Sequence, residues 1–195
     1  KCAHPVSFPL HVRIPGWTEG AEIAVNDRPW PGLCQPASFV TIQRTFFDGD
    51  TVKVRFPMPL RLRFWGPEAV SVERGPLVFS LKIDETATPV FGDKTAPEFP
   101  AWDILPASPW NYGLKVKEFD IASQVTVMER PVSGFPWDPG NSPSELRVPA
   151  QRIASWTLPE KTHPSLPSKP EGSGEVKLVT LVPYGSTRIR LTVFP

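Results

Sequence analysis

The sequence predicts an all-β protein of two consecutive antiparallel β-sandwich units, jelly-roll-like in plan, and three observations carry that prediction. Proline accounts for 26 of the 195 residues. That is more than twice the average usage of about 5%, and each proline removes a backbone donor and costs roughly 3 kcal/mol or more inside a helix. Only residues 37–56 and 110–130 run about twenty positions without one, so long helices are nearly excluded. Between the prolines, apolar and polar residues alternate with period two, the pattern of strands with one buried face. Gly, Pro and Asx residues join these runs, and they are the residues that tight turns need.

Taken in order, the first run is Ser7–Ile14, with Phe8, Leu10, Val12 and Ile14 on one face and His11 and Arg13 on the other. Pro15-Gly16 ends it. Ala21, Ile23 and Val25 share the next face, and Asn26-Asp27 supplies a turn. Phe39–Phe46 directs Val40, Ile42 and Phe46 inward. Asp48-Gly49-Asp50 follows, then Val52, Val54 and Phe56 alternating with Lys53 and Arg55, the strongest hairpin signal of the chain. Leu60, Leu62 and Phe64 form one more strand, and Trp65-Gly66-Pro67 reads as the hinge into a second unit. The expected units are therefore residues 1–65 and 66–195.

In the second unit, Val70 and Val72 open a strand, Gly75-Pro76 breaks it, and Leu77, Phe79, Leu81 and Ile83 resume. Long loops are expected at about 84–111, 131–144 and 159–174, with strands at Leu114–Asp120 and Gln124–Glu129 between them. The chain closes with Val176–Val182, a Pro183-Tyr184-Gly185 turn and a last strand in which Ile189, Leu191 and Val193 alternate with Arg188, Arg190 and Thr192.

Composition bounds the function. Hydrophobic residues make up 40% of the chain and both charge signs are present, which describes a globular protein, neither disordered nor membrane-spanning. A formal net charge of +1 gives no field that would favour nucleic acid or an anionic membrane as partner. The chain begins at Lys1 and enters a strand pattern within a few residues, as a segment of a longer polypeptide would. The compartment stays open. Cys2 and Cys34 make no framework: a bridge is conceivable if residues 1–4 lie beside the 30–36 loop, and two free thiols are the alternative.

Several separate motifs resemble glycoside hydrolase family 127 and its relatives, which include β-L-arabinofuranosidases and were formerly catalogued as a domain of unknown function. They are Phe8-Pro9-Leu10-His11-Val12-Arg13-Ile14-Pro15-Gly16-Trp17, Ala24-Val25-Asn26, Gly49-Asp50 before a strand ending Phe56-Pro57-Met58, and Val72-Glu73-Arg74-Gly75-Pro76-Leu77-Val78-Phe79. The closing Leu181-Val182-Pro183-Tyr184-Gly185-Ser186-Thr187 with Phe194-Pro195 is similar too. The likeness is dense over residues 7–83 and 178–195 and thin between. It implies the C-terminal β-sandwich region that follows an (α/α)6 barrel, with that barrel, in the same parent chain, as the partner. The family's chemistry, a cysteine nucleophile in a zinc site of cysteines and a glutamate, belongs to the barrel. Its adjacent cysteine pair has no counterpart here, so no catalytic residue and no metal ligand is carried over; zinc is expected only in the parent's catalytic domain, and no cofactor in this segment.

The residues agree with a non-catalytic role. Glycoside hydrolysis uses two carboxylates about 5–9.5 Å apart across a sugar, but Asp48 and Asp50 are better explained by their turn and Glu73 by an ion pair. His4, His11 and His163 share no metal spacing. A calcium ion at Asp84-Glu85 lacks the twelve-residue loop. Glu171-Gly172-Ser173-Gly174 lacks the lysine and setting of a phosphate loop and reads as a linker. Tryptophan alone suggests binding. Most of the seven lie beside Pro or Gly in turns, where they either plug the ends of sandwiches and meet a neighbouring domain or stack on sugar. Trp110, Tyr112, Trp137 and Trp156 are the carbohydrate-binding candidates, with a polysaccharide as the second candidate partner. Stand-alone glycosidase activity is the weakest alternative.

Overall fold

The computed structural model describes residues 1–91, 98–132, 134–138, 140–158, 165–167 and 170–195. It is all-β and antiparallel throughout, in two compact units, Lys1–Pro59 and Leu60–Pro195.

In the first unit, β1 (Val6–Ile14) pairs with β4 (Ser38–Phe46) in unbroken register from Val6 opposite Phe46 to Ile14 opposite Ser38. A second sheet has β2 (Glu22–Val25) between β3 (Arg28–Pro29) and β5 (Val52–Arg55). Side chains from both sheets, Ile14, Ile23, Val25, Val40, Ile42 and Phe46, form one buried cluster. Asn26 and Asp27 both adopt positive φ, 51° and 61°, and Val25 pairs with Arg28 across them. This is the two-residue I′ hairpin that Asn and Asp tolerate best among side-chain-bearing residues.

The Asp48-Gly49-Asp50 segment is not a hairpin turn. β4 pairs only with β1 and β5 only with β2, so the segment carries the chain from one sheet to the other. Its turn chemistry is nonetheless as expected. Gly49 takes φ 84°, and the Asp50 carboxylate accepts from Phe47 N–H (2.9 Å), Asn26 Nδ2 (2.7 Å) and Arg44 Nη2 (3.0 Å).

The second unit is built on a seven-stranded sheet in the order β11-β13-β14-β8-β7-β6, with β12 also on β13. These strands are β6 (Leu60–Phe64), β7 (Val70–Arg74), β8 (Leu77–Leu81), β11 (Tyr112–Leu114), β12 (Thr126–Glu129), β13 (Ser144–Arg152) and β14 (Ser173–Pro183). β9 (Glu85–Val90) and β10 (Ala101–Pro106) pair only with each other. Phe79, Leu146, Leu181 and Phe194 are fully buried at the centre.

Several further expectations need correction. Leu60–Phe64 pairs with β7 along its whole length, so the boundary falls at Pro59 and not at Trp65. Trp65-Gly66-Pro67 is the β6–β7 connection, closed by Trp65 N–H to Ala69 O (2.8 Å) with Gly66 at φ 144°. The stretch 84–111 is largely the β9–β10 ribbon, whose alternation is hidden because most of its side chains are exposed on both faces; residues 92–97 lie outside the described ones. The expected Leu114–Asp120 strand ends at Leu114. Glu118–Asp120 is a 3-10 turn and Ile121–Gln124 a single turn of helix, α1. Asp120 accepts from Ser123 Oγ (2.6 Å) and Gln124 Nε2 (3.2 Å), bonds that compete with an extended chain, while Ile121 and Val125 enter the core.

Finally, residues 188–193 are not a ladder strand. They are tied by Leu81 N–H to Leu191 O, by reciprocal bonds between Val70 and Phe194, and by Ser80 Oγ to Thr192 Oγ1 (3.0 Å). Within the expected 159–174 loop, β14 already begins at Ser173, opposite Arg152. Residues 159–164 and 168–169, His163 among them, fall outside the described ones, as do 133 and 139 in the expected 131–144 loop.

Pro149 sits inside β13, where a missing donor would normally break the ladder. It is tolerated because β11 covers only Ala150–Arg152 and β12 only Ser144–Arg147. The proline faces the seam between them, where its carbonyl accepts from Lys115 N–H (2.8 Å) and the chain leaves the sheet to make α1.

Candidate functional site

Three of the four aromatic candidates come together at one end of the β11–β13 pair. Tyr112 opposes Arg152, which sets Trp110-Asn111 alongside Ile153–Trp156. Ile153 N–H donates to Asn111 O (2.8 Å). The Asn111 side chain is 7% exposed and donates through Nδ2 to Ile153 O (2.9 Å) and Trp156 O (3.0 Å). Its Oδ1 accepts from Arg152 Nε (3.1 Å). Trp110 packs against Trp156 with ring centroids 5.1 Å apart at 72°, an edge-on geometry that aromatic quadrupoles favour. Trp156 is buried, and its Nε1 has no hydrogen-bond partner. Trp110, Asn111, Arg152 and Trp156 border a groove of about 470 Å³, with Ser108 and Thr157 at its side. Tyr112 is half-buried and packs on the core.

Trp137 stands elsewhere. With Tyr184, Pro183 and Leu77 it lines a separate, apolar hollow of about 420 Å³. A Cβ on Gly185 would lie 2.8 Å from Trp137 Cε3, closer than side-chain atoms approach one another. The glycine thus lets the indole rest on the backbone, and Ser186 Oγ donates to Pro136 O (3.2 Å) beside it. Arg190 stacks over the Tyr184 ring at 4.7 Å.

Of the carboxylates weighed for chemistry, Asp50, Glu73 and Glu85 are engaged by neighbouring arginines. The Phe47 N–H, with Asn26 and Arg44, keeps the Asp50 carboxyl below its ordinary value. Glu73 lies 3.7 Å from Arg63. Glu85 is paired with Arg188, and Asp84 closes a backbone loop through Ala107 N–H and Ser108 Oγ. His11 bonds Thr41 across the β1–β4 pair (2.9 Å). Cys2 and Cys34 are both free thiols. Among the described residues no group of three His, Cys, Asp or Glu side chains could hold a metal ion, and no helix is long and apolar enough to cross a membrane.

Two clusters escaped the sequence. Glu145, 2% exposed, is clamped between Lys82 Nζ (3.2 Å) and Arg130 Nη2 (2.8 Å); it lies on β13 while Lys82 and Arg130 directly follow β8 and β12, so no spacing announces the three. Asn111 and Arg152 are equally silent, because forty residues separate them and only the β11–β13 register joins them.

Residues 1–58 match the family model described as "Beta-L-arabinofuranosidase, GH127 middle domain". The model matched is that of a middle domain, whereas the motifs suggested a C-terminal region. Among solved structures, one titled "Glycoside hydrolase" is similar at TM-score 0.53 and 20% identity, over 97% of this chain and 28% of its own length. A GH127 β-L-arabinofuranosidase from Geobacillus stearothermophilus T6 is similar at TM-score 0.55 and 20% identity, over 98% of this chain and 26% of its own. The chain thus spans about a quarter of these proteins, and at this identity the likeness is one of fold. No curated protein matches it.

Proposed function

We propose that this chain is a non-catalytic accessory region of a larger glycoside hydrolase resembling the β-L-arabinofuranosidases, where it braces a helical catalytic barrel and lies C-terminal to it. The observation that carries this reading is the β9–β10 ribbon. An isolated two-stranded ribbon is marginal on its own in water. This one exposes Trp102 (53%) and Leu105 (63%), with Phe91 and Phe99 beside its ends at 68% and 81%. Trp102 and Leu105 stand on opposite faces of β10, so the ribbon offers an uncovered apolar side chain on each face, as an element meant to lie against another body would. The match of residues 1–58 to a domain of such an enzyme supports reading that body as another part of the same enzyme, and the engagement of Asp50, Glu73 and Glu85 in structural bonds favours a supporting role. The parent's zinc chemistry, if the resemblance extends that far, would reside in the barrel.

Co-expression with the parent's catalytic domain as a separate polypeptide tests the reading. The native chain should co-purify with it, and Trp102→Ser with Leu105→Ser should abolish co-purification while the variant's circular dichroism stays native. Failure of the native chain to co-purify overturns the bracing role. Turnover of an aryl arabinofuranoside by this chain alone overturns the non-catalytic one.

A second reading, a carbohydrate-binding module working through its loop tryptophans, is favoured by Trp137 and Tyr184. They flank one hollow and remain 54% and 46% exposed. A polysaccharide would be the partner in that case, and quenching of Trp fluorescence by arabinan oligosaccharides, lost in Trp137→Ala, distinguishes the two.

A further inference from the structure

We infer that the groove between Trp110 and Arg152 is a binding site for a sugar unit that carries a carboxylate, an acidic residue of a polysaccharide. This goes beyond the bracing role and does not depend on it.

The site is built around the Arg152 guanidinium. Its Nε is held by Asn111 Oδ1 at 3.1 Å, and Asn111 is itself buried and fixed by two bonds to the Ile153 and Trp156 carbonyls. A planar guanidinium held by Nε is oriented with its Nη1 and Nη2 edge outward, the geometry that receives a carboxylate through two parallel bonds. Among the described residues neither terminal nitrogen has a partner and no Asp or Glu lines the groove. An exposed arginine that only solvates a surface needs no buried asparagine to aim it.

The remaining groups suit a sugar better than a bare anion. Trp110, held edge-on by Trp156, offers a fixed aromatic wall for the apolar side of a sugar ring. Ser108 Oγ accepts from Asp84 N–H (2.9 Å), which leaves its own proton to donate to a hydroxyl, and Thr157 brings another hydroxyl to the same groove. A volume of about 470 Å³ lies within the 300–1,000 Å³ typical of small-molecule sites.

The test is a titration of the full chain with galacturonic acid, glucuronic acid, galactose, arabinose and acetate, read by tryptophan fluorescence and by amide NMR shifts of residues 108–112 and 151–157. The uronates should saturate at millimolar concentration and bind at least about tenfold more tightly than the neutral sugars. Arg152→Lys keeps the charge and loses the fork, and should remove most of that discrimination. Trp110→Ala should weaken uronate and neutral sugar alike, and Phe119→Ser, at an exposed position that does not line the groove, should change nothing. No saturable uronate response, equal affinity for neutral sugars, or an unaltered preference in Arg152→Lys each overturns the proposal. Acetate binding as tightly as the uronates overturns the sugar assignment and points to an acidic side chain of a neighbouring domain as the occupant.

Discussion

The clamp on Glu145 predicts an asymmetry between removing the acid and removing its partners. Glu145 is 2% exposed, whereas Lys82 and Arg130 retain 33% and 45% of their side-chain surface. In Glu145→Gln the two cations lose charge-assisted bonds but can turn to water, so the cost is that of such bonds, about 1.5–3 kcal/mol. In Lys82→Met with Arg130→Met the carboxylate stays buried without compensation, and breaking a buried pair from that side costs about 3–5 kcal/mol. Urea unfolding of the full chain, followed by tryptophan emission and far-UV circular dichroism, measures both. With a slope of about 1–3 kcal/mol per molar urea, the cation-deleted variant should unfold at a midpoint lower than Glu145→Gln by roughly 1 M. A Glu145→Gln midpoint at or below that of the double variant would refute the reasoning. It would mean that attraction to the cations, and not the cost of burying the acid, dominates at this site.

Other perturbations give sharper local readouts. Phe79→Ala removes a fully buried ring from the second core and should destabilise that unit by about 3–5 kcal/mol, seen in the same urea curves. Asn111→Ala strips two carbonyls and one guanidinium of their partner and should cost about 1–3 kcal/mol, with amide exchange accelerated at residues 153–156. Gly185→Ala should displace the Trp137 ring, shifting its emission to the red while stability falls by less than about 1 kcal/mol, since the ring is already half in water. Asp50 contributes to stability above its unfolded value of about 3.9, because its folded value is lower. That contribution is lost as pH falls through the folded value, so the gap in melting temperature between native chain and Asp50→Asn should be constant from pH 7 to 5 and close below about pH 4.

Where one face of a strand is buried, the sequence was readable. β1, β2 and β4 bury the alternate residues expected of them, Ile14, Ile23, Val25, Val40, Ile42 and Phe46, because a period of two admits only one assignment of faces. Pairing was not readable to the same degree. Asp48-Gly49-Asp50 has the residues of a hairpin turn, and nothing local records that β4 finds its partner in β1. Trp65-Gly66-Pro67 misled for the reverse reason, since a Gly-Pro pair serves a tight connection and a linker equally well. The ribbon formed by β9 and β10 was invisible because its apolar side chains are spread over both faces. The terminal residues looked like a strand because Ile189 and Leu191 do reach the core. Yet Thr187 and Thr192 hydroxyls bond to nearby carbonyls and divert the backbone from a ladder. At the candidate site the aromatic members could be named from composition, but the polar ones that orient them could not, since Asn111 and Arg152 meet only through strand register.

The crossing at Asp48–Asp50 has a consequence for how the first unit comes into being. With no ladder between β4 and β5, every strand pair there except the short β2–β3 turn joins residues at least 24 positions apart, from Ile14 with Ser38 to Val6 with Phe46. A peptide of residues 38–56 would find no partner within itself. The first sheets must wait until long segments of chain have met, and search of that kind is slow. Folding of this unit should therefore lag behind that of hairpin-built sandwiches of equal size, leaving the edges of β1 and β4 open to other chains while the polypeptide is being made.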